Sequence, residues 1–121
     1  EKINSKAKEI KNSGIEVNVM SFSWLAIERI KQLNNNIETT YLLNNYIPWF
    51  SAQYSSARSL GPEITQLRKD PGLAKRIKAT GRKLNVWTVD DPSDISLCYE
   101  LGVDNLITDR PGFVREILRN I

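Results

Sequence analysis

Residues 84–111 read LNVWTVDDPSDISLCYELGVDNLITDRP. LNVWTV is short, apolar and β-branched, the composition of a strand. DDPSD is a helix start. Asp91 stands where a cap belongs, Pro92 takes the first helical position, and Asp94 lies near the positive end of the dipole. ISLCYELG is one amphipathic helix that stops on Gly102. VDNLIT is a second strand, closed by DRPG. Strand, helix and strand in so short a span predict two parallel strands joined by a right-handed crossover.

The pattern extends in both directions. C-terminal to this unit, FVREILRN predicts a last helix with Asp109 as its cap and Phe113, Val114, Ile117 and Leu118 on its apolar side. N-terminal to it, RKDPGLAKRIKATGRK contains a helix with Asp70 as cap, Pro71 first and Gly81 at its end. GPEITQL is expected to include a short strand. NNYIPWFSAQYSSARSLG is polar and aromatic with little periodicity, and is expected to be a long irregular segment. IETTYLL and IEVNVMSF (residues 15–22) read as strands. Between them, Ser23 can cap the helix WLAIERIKQL, with Leu25, Ile27, Ile30 and Leu33 on its apolar side. Residues 1–12 read as a helix, with Ile3, Ala7 and Ile10 at helical spacing.

Alternating helices and strands imply an α/β fold with a parallel sheet. Doubly wound sheets and (β/α)8 barrels share this pattern, and composition does not separate them. The glycine-rich phosphate loops GxGxxG and GxxxxGK are absent.

The chain has 121 residues, enough for one core, with 40% hydrophobic and 26% charged residues, a globular composition. The net charge is +3, but basic and acidic residues alternate, so no nucleic-acid partner is expected. The single cysteine, Cys98, cannot form an intrachain disulfide and is expected to be buried and inert. No apolar run approaches the ~20 residues of a membrane span, and no signal peptide is recognisable, so a cytoplasmic location is expected. There is no histidine, which removes every mechanism that needs an imidazole from this chain alone. The first residue is Glu1, and EKINSKAKEIKNSG reads as a helix begun in mid-element. Residues 1–121 are therefore expected to be a piece of something longer.

The motif VWTVDDP…ELGVDNLITDRP resembles the C-terminal signature of the glycerophosphodiester phosphodiesterases. VNVMSFSWLAIERI, ETTYLL and the approach to the tryptophan strand are similar to the family in the same order, with less specific residues. The resemblance implies the C-terminal portion of a (β/α)8 TIM-type barrel, with parallel strands and outer helices, about half of the ~250 residues that a full barrel needs. It also implies a phosphoric diester hydrolase that splits glycerophosphodiesters into glycerol phosphate and an alcohol. In such a family a divalent cation (Mg or Ca) and acid–base histidines do the chemistry. The motifs that supply them, His-Arg-Gly, Glu-x-Asp, His-Asp and Glu-x-Lys, are not in this sequence. No catalytic residue and no metal ligand can be assigned, and the chain alone is expected to be inactive.

What the resemblance does transfer is pocket wall, because barrel sites lie at the C-terminal ends of the strands. Ser21 and Phe22 end one strand, and Trp87 lies late in another at the position of the family tryptophan. These three are the candidate substrate-binding residues. Trp87 can face a glycerol or alcohol skeleton and donate its N–H, or it can fill the barrel interior. Asp90, Asp91 and Asp109 invite a metal reading, but two of them sit where caps belong. Trp49 and Phe50 are read either as a lid or as a hydrophobic cover. The expected partners are the substrate in an intact domain, and either a missing N-terminal half or a second copy of the chain. The alternative is a non-catalytic half-barrel that binds a partner or itself.

Overall fold

The computed structural model describes residues 16–121. The helix expected over residues 1–12 lies outside them, as does the first residue of the strand expected over 15–22. Five strands form one sheet: β1 (Asn18–Ser21), β2 (Glu38–Leu42), β3 (Ser59–Gly61), β4 (Lys83–Val86) and β5 (Asn105–Leu106). Their order in space is their order in sequence, and every neighbouring pair is parallel. Six helices connect or follow them: α1 (Trp24–Leu33), α2 (Trp49–Gln53), α3 (Ile64–Lys69), α4 (Gly72–Ala79), α5 (Pro92–Glu100) and α6 (Pro111–Arg119).

Strand order separates the two folds left open by composition. A doubly wound sheet reverses direction at a switch point. Here each crossover steps the same way, so right-handed connections put every helix on one face. From the three middle strands, Tyr41, Leu60, Leu84 and Val86 pack with Ile27, Leu67, Ile77, Ile95 and Val114 of the helices in one core. The other face curves. Thr40 donates its hydroxyl to Asn18 Oδ1 (2.9 Å) and accepts from Asn85 Nδ2 (3.0 Å). Asn85 Oδ1 in turn accepts from Asn105 Nδ2 (2.8 Å). This polar ladder joins β1, β2, β4 and β5 and passes over β3. On a flat sheet β2 and β4 would lie about 10 Å apart, too far for a threonine and an asparagine to touch. They meet because β3 presents only Ser59 and Gly61 on that face, and the sheet closes over these small residues. The result is a half-barrel with helices outside.

Local chemistry sets most element boundaries as expected. Ser23 caps α1 by accepting from Ala26 N (3.2 Å). Gly81 and Gly102 adopt the left-handed conformation after α4 and α5, with φ of 81° and 70°.

Several expectations are corrected. The strand sought in GPEITQL is Ser59–Gly61, just upstream, and most of that segment is α3. Glu63 and Gln66 form a reciprocal capping box there, an N-terminal signal that overrides the short β-branched run. The irregular segment contains α2, entered through Pro48. Asp109 does not cap α6. Arg110 holds that position, and its guanidinium lies 3.8 Å from the Phe113 ring centroid. Pro71, not Asp70, occupies the cap position of α4, although the Asp70 carboxylate pairs with Arg76 at 2.7 Å and its backbone carbonyl accepts from Leu73 N (3.0 Å). Asp91 stands at the N-cap of α5 without a capping bond. Leu25, placed on the apolar side of α1, is exposed.

Asp94 does more than face a dipole. It is buried, and its two oxygens accept from Arg68 Nε (2.8 Å) and Arg68 Nη2, which ties α5 to α3.

Candidate active-site face

The C-terminal ends of the strands gather at one rim. Phe22 follows β1, Pro62 and Glu63 follow β3, Trp87 follows β4, and Thr108 lies beyond β5. Phe22 and Trp87 meet edge to face, with ring centroids 5.4 Å apart and planes at 82°. Two strands separate their own, a distance of about 14 Å along a flat sheet. The contact therefore reports the same curvature as the polar ladder, one layer nearer the rim.

Trp87 is held tightly. Its indole Nε1–H donates to Gly61 O at 2.7 Å. Its backbone N–H donates to Pro62 O (3.3 Å), and its carbonyl accepts from Ile64 N (2.6 Å). The peptide between Trp87 and Thr88 is cis. The indole N–H is thus spent on the protein, and what Trp87 offers outward is ring surface.

Gly61 makes this possible. A Cβ there would lie 2.9 Å from Thr40 Cγ2, 3.0 Å from Leu42 Cδ2 and 3.2 Å from Asn85 O. Sequence reasoning missed this residue. The available signal was SLGP, a glycine before a proline in what looked like a turn.

The structure brings Phe22 and Trp87 together but leaves Ser21 out of their contact. Alternation along β1 turns Ser21 away from Phe22. Its hydroxyl accepts from Ser23 N at 3.0 Å, in the turn that opens α1.

The three aspartates do not converge. Asp90 Oδ1 accepts from the Thr108 hydroxyl (2.7 Å) and from Asp109 N (3.0 Å), which joins the ends of β4 and β5. The Thr108 hydroxyl, then the Asp109 N–H, hold the Asp90 carboxyl below the usual carboxylate range. Among the described residues no three His, Cys, Asp or Glu side chains group as a metal site. A hard divalent cation takes about six or more oxygen ligands, and among the described residues no group of carboxylates converges to offer them. Cys98 is buried away from the rim, and burial pushes its thiol up to about 12. The rim of this chain can therefore shape and bind. Among the described residues it presents aromatic surface and carries no histidine.

Fold and rim together define part of a (β/α) barrel with an aromatic wall at the catalytic end of its strands. The family model of the glycerophosphoryl diester phosphodiesterases matches residues 1–113, and the chain belongs to that family. It is 35% identical over 96 residues to "Probable glycerophosphodiester phosphodiesterase 1" of Mycobacterium tuberculosis, covering 78% of this chain and 35% of that protein. The solved glycerophosphodiester phosphodiesterase of Parabacteroides distasonis superposes with a TM-score of 0.78 at 25% identity, over 97% of this chain and 50% of that one. An Oleispira antarctica phosphodiesterase solved with its product sn-glycerol-3-phosphate superposes with a TM-score of 0.79 at 20% identity, over 97% of this chain and 49% of that one. The chain thus spans about a third to a half of the length of these relatives. Among the described residues no helix is long and apolar enough to cross a membrane.

Proposed function

We propose that residues 1–121 are the C-terminal part of a glycerophosphodiester phosphodiesterase domain, and that they contribute substrate-facing wall rather than catalytic groups. The reaction of that domain is attack of water on the phosphodiester, with one P–O bond formed and another broken to give glycerol phosphate and an alcohol. Such chemistry needs a counter-charge for the phosphate and a proton donor for the leaving oxygen. Among the described residues no carboxylates group to hold a metal for the first, and the chain has no histidine for the second. The observation that carries this reading is the Phe22–Trp87 pair at the strand ends of a chain that belongs to this family. Its rings offer apolar surface to the carbons of the glycerol or alcohol moiety, whereas Ser21, turned away from them, serves the turn that opens α1.

The other barrel strands, from an N-terminal half or a second copy, would pair with β1 and β5, the edges of the sheet among the described residues. Beside β5, Val103, Leu106, Val114 and Leu118 line an open groove that such a partner would cover. A non-catalytic binding module is the second reading. The lack of histidine favours it equally, and it differs in needing no complementing half.

The test is release of glycerol phosphate from glycerophosphodiesters, with and without a metal salt. The purified chain alone is expected to release none. A chain supplying the histidine and acidic motifs is expected to restore release, and Trp87→Ala to lower it. Metal-dependent hydrolysis by this chain alone, lost in Trp87→Ala, would refute the proposal. Failure of every complementing half would favour the binding module.

A further inference from the structure

The outer layer of helices carries a surface that a barrel core does not need. Tyr46, Phe50 and Tyr54 recur every fourth residue and are 92%, 71% and 66% exposed. Phe50 and Tyr54 pack edge to face, with centroids 5.0 Å apart. On α2 Phe50 lies opposite Ala52, which faces the core. No charged residue occurs from position 44 to 57. Three large aromatics are thus exposed within nine residues of sequence that carry no charge, two of them in contact, which is unusual on a protein surface.

Beside it the charge is one-sided. Residues 68–83 hold seven Lys or Arg and one Asp, in a chain with 17 basic and 14 acidic residues in all, so the basic excess concentrates there. The two segments touch. Arg76 lies 5.9 Å from the Trp49 ring centroid. Arg82 donates to Gln53 O (3.1 Å) and to Ser55 O at the end of α2. Arg68, Arg76 and Lys78 are paired with Asp94, Asp70 and Asp104. Lys69 and Lys75 have no acidic partner among the described residues, and Lys75 stands on the solvent side of α4, opposite Leu73, Ala74 and Ile77.

We infer that this surface docks on an anionic lipid interface. Tyrosine and phenylalanine seat at the boundary between headgroups and chains, and cationic side chains beside them are drawn to acidic headgroups. A protein partner matched to this surface would need an apolar groove flanked by acid, whereas an anionic bilayer offers both features everywhere. Charge complementarity therefore favours lipid. The inference does not depend on the catalytic reading.

The test is co-sedimentation of the chain with phosphatidylcholine vesicles, with and without a phosphatidylglycerol fraction. The expected result is binding to the anionic vesicles that weakens with salt. Y46S/F50S/Y54S should weaken it more than about ten-fold through lost apolar burial. K69Q/K75Q should weaken it about 25-fold, at about five-fold per lysine. The replaced side chains are exposed, so far-UV circular dichroism should match the parent chain. If the aromatic variant does not fold, K69Q/K75Q decides. No binding to anionic vesicles by the folded chain would overturn the inference. So would binding that both variants retain, or an oligomer that Y46S/F50S/Y54S dissolves while no vesicles are bound.

Discussion

Gly61→Ala should destabilise the chain, and the cost can be worked from the atoms around it. The added methyl would lie within 3.2 Å of three neighbours, Thr40 Cγ2, Leu42 Cδ2 and Asn85 O. Leu42 can shift its side-chain tip. Thr40 cannot rotate without losing its bonds to Asn18 and Asn85. Asn85 O belongs to the backbone of a buried strand. Two of the three contacts are therefore rigid. Overpacking of this kind costs about 1–3 kcal/mol. The stiffer unfolded chain returns about 0.4–1 kcal/mol. A net loss of about 1–2 kcal/mol is expected, or ~4–8 °C in Tm for a chain of this size. Urea unfolding of Gly61→Ala beside Gly112→Ala is the assay. No atom lies within 4 Å of a Cβ at Gly112, and the site is helical, so that variant should be neutral or stabilising by up to about 1 kcal/mol. If Gly61→Ala unfolds at the same urea concentration as the parent, the curvature of the sheet does not depend on an empty place on β3, and the account of the rim fails.

Three other outcomes follow from the same geometry. Arg68→Met should lower Tm by several degrees more than Asp94→Asn. The carboxylate is 6% exposed and would be stranded, whereas the guanidinium is 48% exposed and can turn to water; equal losses in calorimetry would contradict this. Cys98 should resist thiol reagents in the native chain at pH 8 and react at least about a hundred-fold faster in urea, because a thiol pushed up to about 12 is almost wholly protonated; fast native labelling would place it at the surface. The folded Asp90 carboxyl titrates below its ordinary value near 3.8, so the stability it contributes is complete above that value and is lost as pH falls through the lower one. Asp90→Asn should therefore flatten the acid limb of a Tm–pH profile, and an unchanged limb would mean that its bonds to Thr108 and Asp109 are not kept in solution.

The sequence by itself determined the alternation of helices and strands, the glycine stops at Gly81 and Gly102, the Ser23 cap and the family motif around Trp87. These depend on chemistry within a few residues, where side-chain period and backbone preference act directly. Composition and periodicity left the curvature of the sheet and its strand order open; the family resemblance implied both, and the tertiary structure shows them. Only the tertiary structure decided that Asp94, in the first turn of α5 as expected, turns inward to Arg68 as well. The three-residue strand β3 was too short to show a period, and the value of Gly61 lies in what it leaves empty. Thr40 and Asn85 bond across 45 positions of sequence, and each alone reads as a polar interruption in an apolar strand. Their meaning appears only when folding brings β2 and β4 together over β3, because the bond between them does not exist until the sheet bends.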